Sequence, residues 1–162
     1  MNKKGFTLIE LLAVIILVAL IGVLVMPTVI NTTNQTKQKS YDILIKNIVT
    51  SAQTYYEECE YGDLSNKTKY GSYACIMNNN TITITLGTLA NTGFLSVKDV
   101  DSNNKKKVLN PINNQDISEC NITITKTKNE VTDENGIKNN KVTYTITAGT
   151  QNNCPTTEEY QK

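Results

Sequence analysis

Residues 6–26, FTLIELLAVIILVALIGVLVM, form an apolar run of 21 residues broken by a single charge, Glu10. As a helix rising ~1.5 Å per residue, a run of this length spans about 30 Å, the thickness of a bilayer core. The 136 residues after Met26 are polar enough to bring the mean hydropathy of the 162-residue chain to −0.30. The chain must therefore place its first segment in lipid or against other apolar surfaces and build a water-soluble part from the rest. Lys3 and Lys4 precede the run. Positive flanks stay on the cytoplasmic side, so the N-terminus is expected inside the cell and the remainder outside. A removable secretory signal would need a shorter run of ~7–15 residues and a small-residue cleavage site. This run is longer and MPTVINTT is a poor site of that kind, while the first cysteine, Cys59, makes a lipoprotein signal weaker still. A plain membrane anchor remains open, but it leaves a carboxylate at the fifth position of the run without a role.

Composition narrows the chemistry. The chain has 16 Lys, no Arg, no His and no Trp, and its 15 acids nearly cancel the Lys. Balanced charge points to no polyanionic partner. Without His there is no His-based acid–base catalysis, no His metal site and no Ser-His or Cys-His nucleophile pair. Without Arg there is no bidentate fork for phosphate or carboxylate. No cofactor is indicated. Asn (21) and Thr (23) suit turns, strands and a wet surface.

A charge in a membrane segment is costly and is by default a functional-site hypothesis; near the end of a span, it can instead snorkel to the interface. Were the chain cut after Gly5, Phe6 would expose an α-ammonium four residues before Glu10. The helix dipole also favours a carboxylate near a helix N-terminus. The two charges could pair within one chain or between staggered chains, and the second option is an assembly mechanism.

The stretch Lys3-Lys4-Gly5-Phe6-Thr7-Leu8-Ile9-Glu10-Leu11-Leu12 resembles the prepilin signature of type IV pilins and type II secretion pseudopilins. The resemblance extends from Lys3 to about Pro27. It implies that a membrane peptidase cuts between Gly5 and Phe6, that Phe6 becomes N-methylated, and that Glu10 serves assembly. It further implies that the partners are other pilin subunits, the prepilin peptidase/methylase and a pilus assembly platform. The chain would lie in the cell membrane before assembly and in a surface filament afterwards. The signature is shared with pseudopilins of secretion or DNA-uptake systems, which stay open as an alternative. A membrane-anchored or secreted binding domain is the alternative from another class.

Pro27 lacks an N–H and clashes with the preceding turn, so it is expected to kink or loosen a helix, with Gly22 as another weak point. It either begins a new helix or softens the segment for packing in a fibre; the family resemblance favours softening and gives Pro27 an assembly role. Further on, Tyr41, Leu44, Ile45, Ile48, Ala52, Tyr55 and Cys59 fall on one helical face. Residues 29–40 are polar. Residues 6–58 thus read as one long helix, transmembrane over 6–26 and amphipathic in its second half. The leader is 1–5, and 59–162 is an extracellular, β-rich head whose sheet covers the apolar stripe.

In the head, Thr81-Ile82-Thr83-Ile84-Thr85-Leu86 alternates as a half-buried strand should. Leu86 to Gly93 reads as a short helical turn ended by glycine. Two further strands carry Cys120, Ile122 and Ile124, then Val142, Tyr144, Ile146 and Ala148, with Asp133-Glu134-Asn135-Gly136 as their turn. The fold expected is α+β: a long N-terminal helix packed by a small antiparallel sheet, which is also what the resemblance implies. Four cysteines on the outer side of the membrane suit disulfides. Three connectivities are possible. Cys59 lies at the helix end with Cys75 16 residues on, and antiparallel pairing brings Cys120 near Cys154, so Cys59–Cys75 with Cys120–Cys154 is preferred. A cysteine metal site lacks CxxC spacing. Asp99, Asp101 and Asn103 space oxygens like the start of a calcium loop, but Asn104 replaces the glycine and Asn110 the final Glu. Lys105, Lys106 and Lys107 would repel the cation. That Lys run lacks the interleaved aromatics of a nucleic-acid groove, so nucleic acid is not an expected partner.

Overall fold

A computed structural model describes residues 7–62, 75–132, 134, 138–151 and 153–161, with the backbone alone for residues 24–28. The order is helix α1 (Leu8–Tyr61), strand β1 (Thr81–Thr85), helix α2 (Leu86–Asn91), strands β2 (Asn121–Thr132) and β3 (Lys138–Ala148), and helix α3 (Thr157–Tyr160). This is an α+β fold with a long N-terminal helix and a three-stranded antiparallel sheet in the order β1-β2-β3.

Helix α1 has 54 residues. It begins two residues later than expected from the apolar run and continues three beyond residue 58, through Cys59. Its backbone stays helical past Pro27, so no new helix starts there. The expected softening by the Pro27 ring falls on a side chain outside the described residues. Mid-helix threonines return their hydroxyls to the carbonyl one turn back, as Thr33 does to Val29 (2.8 Å) and Thr36 to Thr32 (2.8 Å). That bond satisfies the hydroxyl without breaking the helix. Among the described residues no helix is long and apolar enough to cross a membrane. Phe6 and the side chains of residues 24–26, which complete the apolar run, lie outside that description.

The chain divides into two compact units, Met1–Lys39 and Ser40–Lys162. In the first, every described side chain from Thr7 onward is exposed, apart from half-buried Gly22. The second holds the core. Tyr41, Ile45, Ile48, Ala52, Tyr55 and Cys59 of α1 are buried, and Tyr56 joins them. Leu44, expected on the same stripe, is half-buried. Ile82 and Ile84 of β1, Ile122 and Ile124 of β2, and Ile146 of β3 are all buried, with Leu86, Leu89 and Leu95 beside them. Period-two alternation leaves the threonines on the opposite face, where Thr83 and Thr123 share a hydroxyl contact of 3.0 Å across strands.

Thr85 ends β1 and caps α2, its hydroxyl accepting from the Thr88 N–H at 3.0 Å. Gly93 stops the helix at φ +91°, a backbone conformation that favours glycine, and the Leu95 N–H folds back to the Leu89 carbonyl at 2.9 Å. The hairpin register runs from Ile122↔Ala148 to Thr132↔Lys138. Of the expected turn residues, Glu134 lies in a turn, while Asp133, Asn135 and Gly136 fall outside the described residues. Val142 shares the parity of Tyr144 and Ile146, yet it is 42 % exposed. Parity decides the face and not the cover: burial along β2 stops at Lys126, and the distal hairpin stands in solvent. Cys120 precedes β2 instead of opening it.

Disulfides join Cys59 to Cys75 and Cys120 to Cys154, with Cα–Cα separations of 6.0 and 5.6 Å. The four cysteines thus pair as the sequence favoured. Near the C-terminus, Thr156 and Glu159 close a capping box around α3. The Tyr41 hydroxyl donates to Glu159 Oε1 at 3.0 Å, and Tyr160 is buried.

Candidate functional sites

The N-terminal candidate is built around Glu10. Helix α1 starts at Leu8, which makes Thr7 its cap and Glu10 its third residue. Glu10 Oε2 accepts from the Thr7 N–H at 2.9 Å and from the Thr7 hydroxyl at 2.8 Å. The Glu10 N–H donates weakly to Thr7 Oγ1 at 3.4 Å. These are the reciprocal contacts of a capping box, so the acid completes the end of its own helix. Both Thr7 contacts on the carboxylate fall on Oε2. Glu10 and the apolar side chains after it, Leu11, Leu12, Val14, Ile15 and Ile16, are exposed in the single chain. Gly5 and Phe6, the expected processing and methylation positions, lie outside the described residues.

Around Asp99 the chain forms a tight loop closed by Val100 and Lys106. Asp101 Oδ1 accepts from the N–H groups of Asn103 (2.8 Å) and Lys105 (2.9 Å), while Asn104 turns the chain at φ +61°. The Asp101 carboxylate, spaced like a calcium ligand, therefore organises the loop backbone. Lys105, Lys106 and Lys107 line an open cleft together with Asp101, Asp116 and Glu119. Lys107 pairs with Asp116 at 3.6 Å. Opposite charges alternate there, which gives no continuous basic track for a phosphate backbone.

A third constellation was not singled out in the sequence. Lys126 follows Ile122 and Ile124 at period two, and β2 accordingly turns it inward. It is 6 % exposed. Its ammonium forms an ion pair and hydrogen bond with Glu60 Oε2 and donates to the Tyr61 hydroxyl at 3.3 Å. The same nitrogen lies 5.0 Å from the Tyr61 ring centre and 5.8 Å from those of Tyr56 and Tyr144. All three distances are within cation–π range. Tyr56 and Tyr144 pack edge to face at 5.6 Å, and the Tyr144 hydroxyl donates to Glu57 Oε1 at 2.9 Å. The bond to Glu60 holds the Lys126 ammonium above the usual lysine range, although burial pulls the other way. The bond to Lys126 in turn holds Glu60 below the usual carboxylate range. Burial, then the bond to Glu57, raise the Tyr144 hydroxyl.

Residues 1–26 match the family model described as the prokaryotic N-terminal methylation motif, the type IV prepilin signature. No curated protein and no solved structure matches the chain.

Proposed function

We propose that this chain is a prepilin, the membrane-inserted precursor of a type IV filament subunit, and that it acts as a structural subunit and not as an enzyme. The observation that carries the reading is the methylation motif over residues 1–26, with Glu10 as the one charge in the apolar run that follows Gly5. Prepilin peptidase cuts after Gly5 and methylates Phe6. The run 6–26 holds the subunit in the membrane, N-terminus inward, until the assembly platform draws it into the filament. Side-by-side burial of these helices then supplies the filament core, since each exposed apolar side chain contributes free energy in proportion to the area it loses to solvent.

Glu10 sets the stagger. With Thr7 held on Oε2, the carboxylate keeps Oε1 for the Phe6 ammonium of a neighbouring subunit. A misplaced subunit leaves two charges unpaired in an apolar bundle, which disfavours it strongly. Pro27 and Gly22 loosen the helix so that it can adjust during packing. Residues 59–162 form the outward head, tied by its two disulfides.

The test is the Glu10→Ala chain expressed in its host. The leader should be removed normally, yet the subunit should be absent from sheared surface fibres. Fibres of normal abundance would overturn the docking role. The motif supports a pseudopilin of a secretion or DNA-uptake machine equally well. Electron microscopy of the cell surface separates the two, because only the pilus reading predicts long fibres.

A further inference from the structure

Buried lysines are rare, and one that is buried needs a reason. Lys126 stands at the root of the β2–β3 hairpin, where the ladder leaves the core and its outer residues become exposed. Its ammonium enters a cage contributed by two other elements. The last turns of α1 supply Tyr56, Glu60 and Tyr61, and β3 supplies Tyr144. Three ring faces and one carboxylate around a single nitrogen are the chemistry that recognises an alkylammonium ion. Tyr56 adds a further sign, since its hydroxyl is buried with no hydrogen-bond partner among the described residues. What the Tyr56 side chain offers the cage is therefore its ring.

We propose that Tyr56, Tyr61, Tyr144 and Glu60 form an alkylammonium-binding site whose ligand is the chain's own Lys126, making a clasp that fastens the hairpin to the end of α1 and opens in acid. The clasp is independent of the filament reading, because every member lies in the unit Ser40–Lys162. Its strength is contextual. Lys126 is the buried member and Glu60 is half-buried, so it is removal of the carboxylate that leaves a buried charge uncompensated.

The pH dependence follows from the groups that face the ammonium. Among the described residues these are Glu60, Tyr56 and Tyr61 on α1, with Glu57 holding Tyr144 from behind; on β3 there is Tyr144, and on β2 the neighbouring cation is Lys128. Strand β1 brings only threonine and isoleucine. Glu60 has a lowered folded pKa, so its contribution is present above its unfolded pKa and is lost as pH falls through the folded value. Lys126 has a raised folded pKa, so its contribution is complete below its unfolded pKa and is lost only as pH rises through the folded value. The clasp is thus closed through neutrality and released from the acid side when Glu60 takes a proton.

Hydrogen exchange on the full chain in detergent micelles tests this, with amides of 122–128 and 143–148 corrected for intrinsic rates. Lys126→Ala should lower their protection about tenfold or more, as loss of a buried partner implies. Methylammonium chloride should restore much of that protection in Lys126→Ala, whereas equal sodium chloride should not, and the wild type should respond to neither. Protection unchanged in Lys126→Ala, or lost without response to methylammonium, would overturn the proposal. Glu60→Gln keeps the side-chain shape but leaves the ammonium without its carboxylate, so it should lower protection already at neutral pH and remove the acid-dependent loss seen in the wild type. An acid loss that survives in Glu60→Gln would assign the release to another group and contradict the clasp.

Discussion

At the scale of the residue, the chain uses a small set of polar devices at element ends. Thr7-x-x-Glu10 and Thr156-x-x-Glu159 are both capping boxes, and both are legible in sequence as Thr followed by Glu three residues later. At Glu10 the apolar run around the charge obscures the cap signal. The cap is compatible with the proposed docking role, since both Thr7 contacts fall on one oxygen of the carboxylate. Lys126 was readable in part: period two sends it inward after Ile124. Its partners were not, because Glu60 and Tyr61 lie 66 and 65 residues earlier and only the packed helix brings them close. Buried hydroxyls give a sharper test of packing at this scale. The Tyr160 hydroxyl is buried without a hydrogen-bond partner among the described residues. Tyr160→Phe should therefore leave the melting temperature unchanged or raise it, since it removes an unsatisfied polar atom and keeps the ring. A clear fall in Tm by calorimetry would mean that the hydroxyl does make a bond.

At the scale of the element, the sequence was most informative where one period dominates. The stripe from Tyr41 to Cys59 is buried apart from half-buried Leu44, and the isoleucines of β1 are buried as their spacing demands. Tyr56 shows where the buried stripe is wider than the seven positions that share one face: at 3.6 residues per turn it flanks Tyr55, and the tyrosine cage needs it there. The exposed outer hairpin was less legible, because alternation continues along β3 as far as Val142 after the core beneath it has ended. Boundaries were set by caps more than by propensity. Thr85 closes β1 and opens α2, and Gly93 closes α2. A Cβ at Gly93 would meet nothing within 4 Å, so only the backbone opposes a side chain there. Gly93→Ala should therefore destabilise the head by about 1 kcal/mol through the strained positive φ. Denaturant melts would show it as a lower midpoint with an unchanged slope, and an unaltered midpoint would remove the argument that this turn requires glycine.

At the scale of the whole molecule, the chain separates two tasks. Its head has its own core of aliphatic and tyrosine side chains and two disulfides, each of the kind that adds ~2–4 kcal/mol to a small domain. Its N-terminal unit has a helix whose described apolar side chains are exposed, the surface that the filament proposal buries. The sequence disclosed this division through one feature, the run 6–26, and it disclosed the head through alternation and cysteine spacing. What it did not disclose were contacts between distant segments, such as Tyr41 with Glu159 or Lys126 with Glu60. Those depend on how the elements pack and leave no local period to read.

The proposed filament requires that the leader is removed and that the new terminus joins a filament core. Intact mass and N-terminal fragment spectra of the protein from its host membrane or surface fibres test it most directly. The account predicts a chain that begins at N-methylated Phe6, with residues 1–5 gone. A chain that keeps Met1, or one that starts near residue 32 after signal-type cleavage, would contradict it.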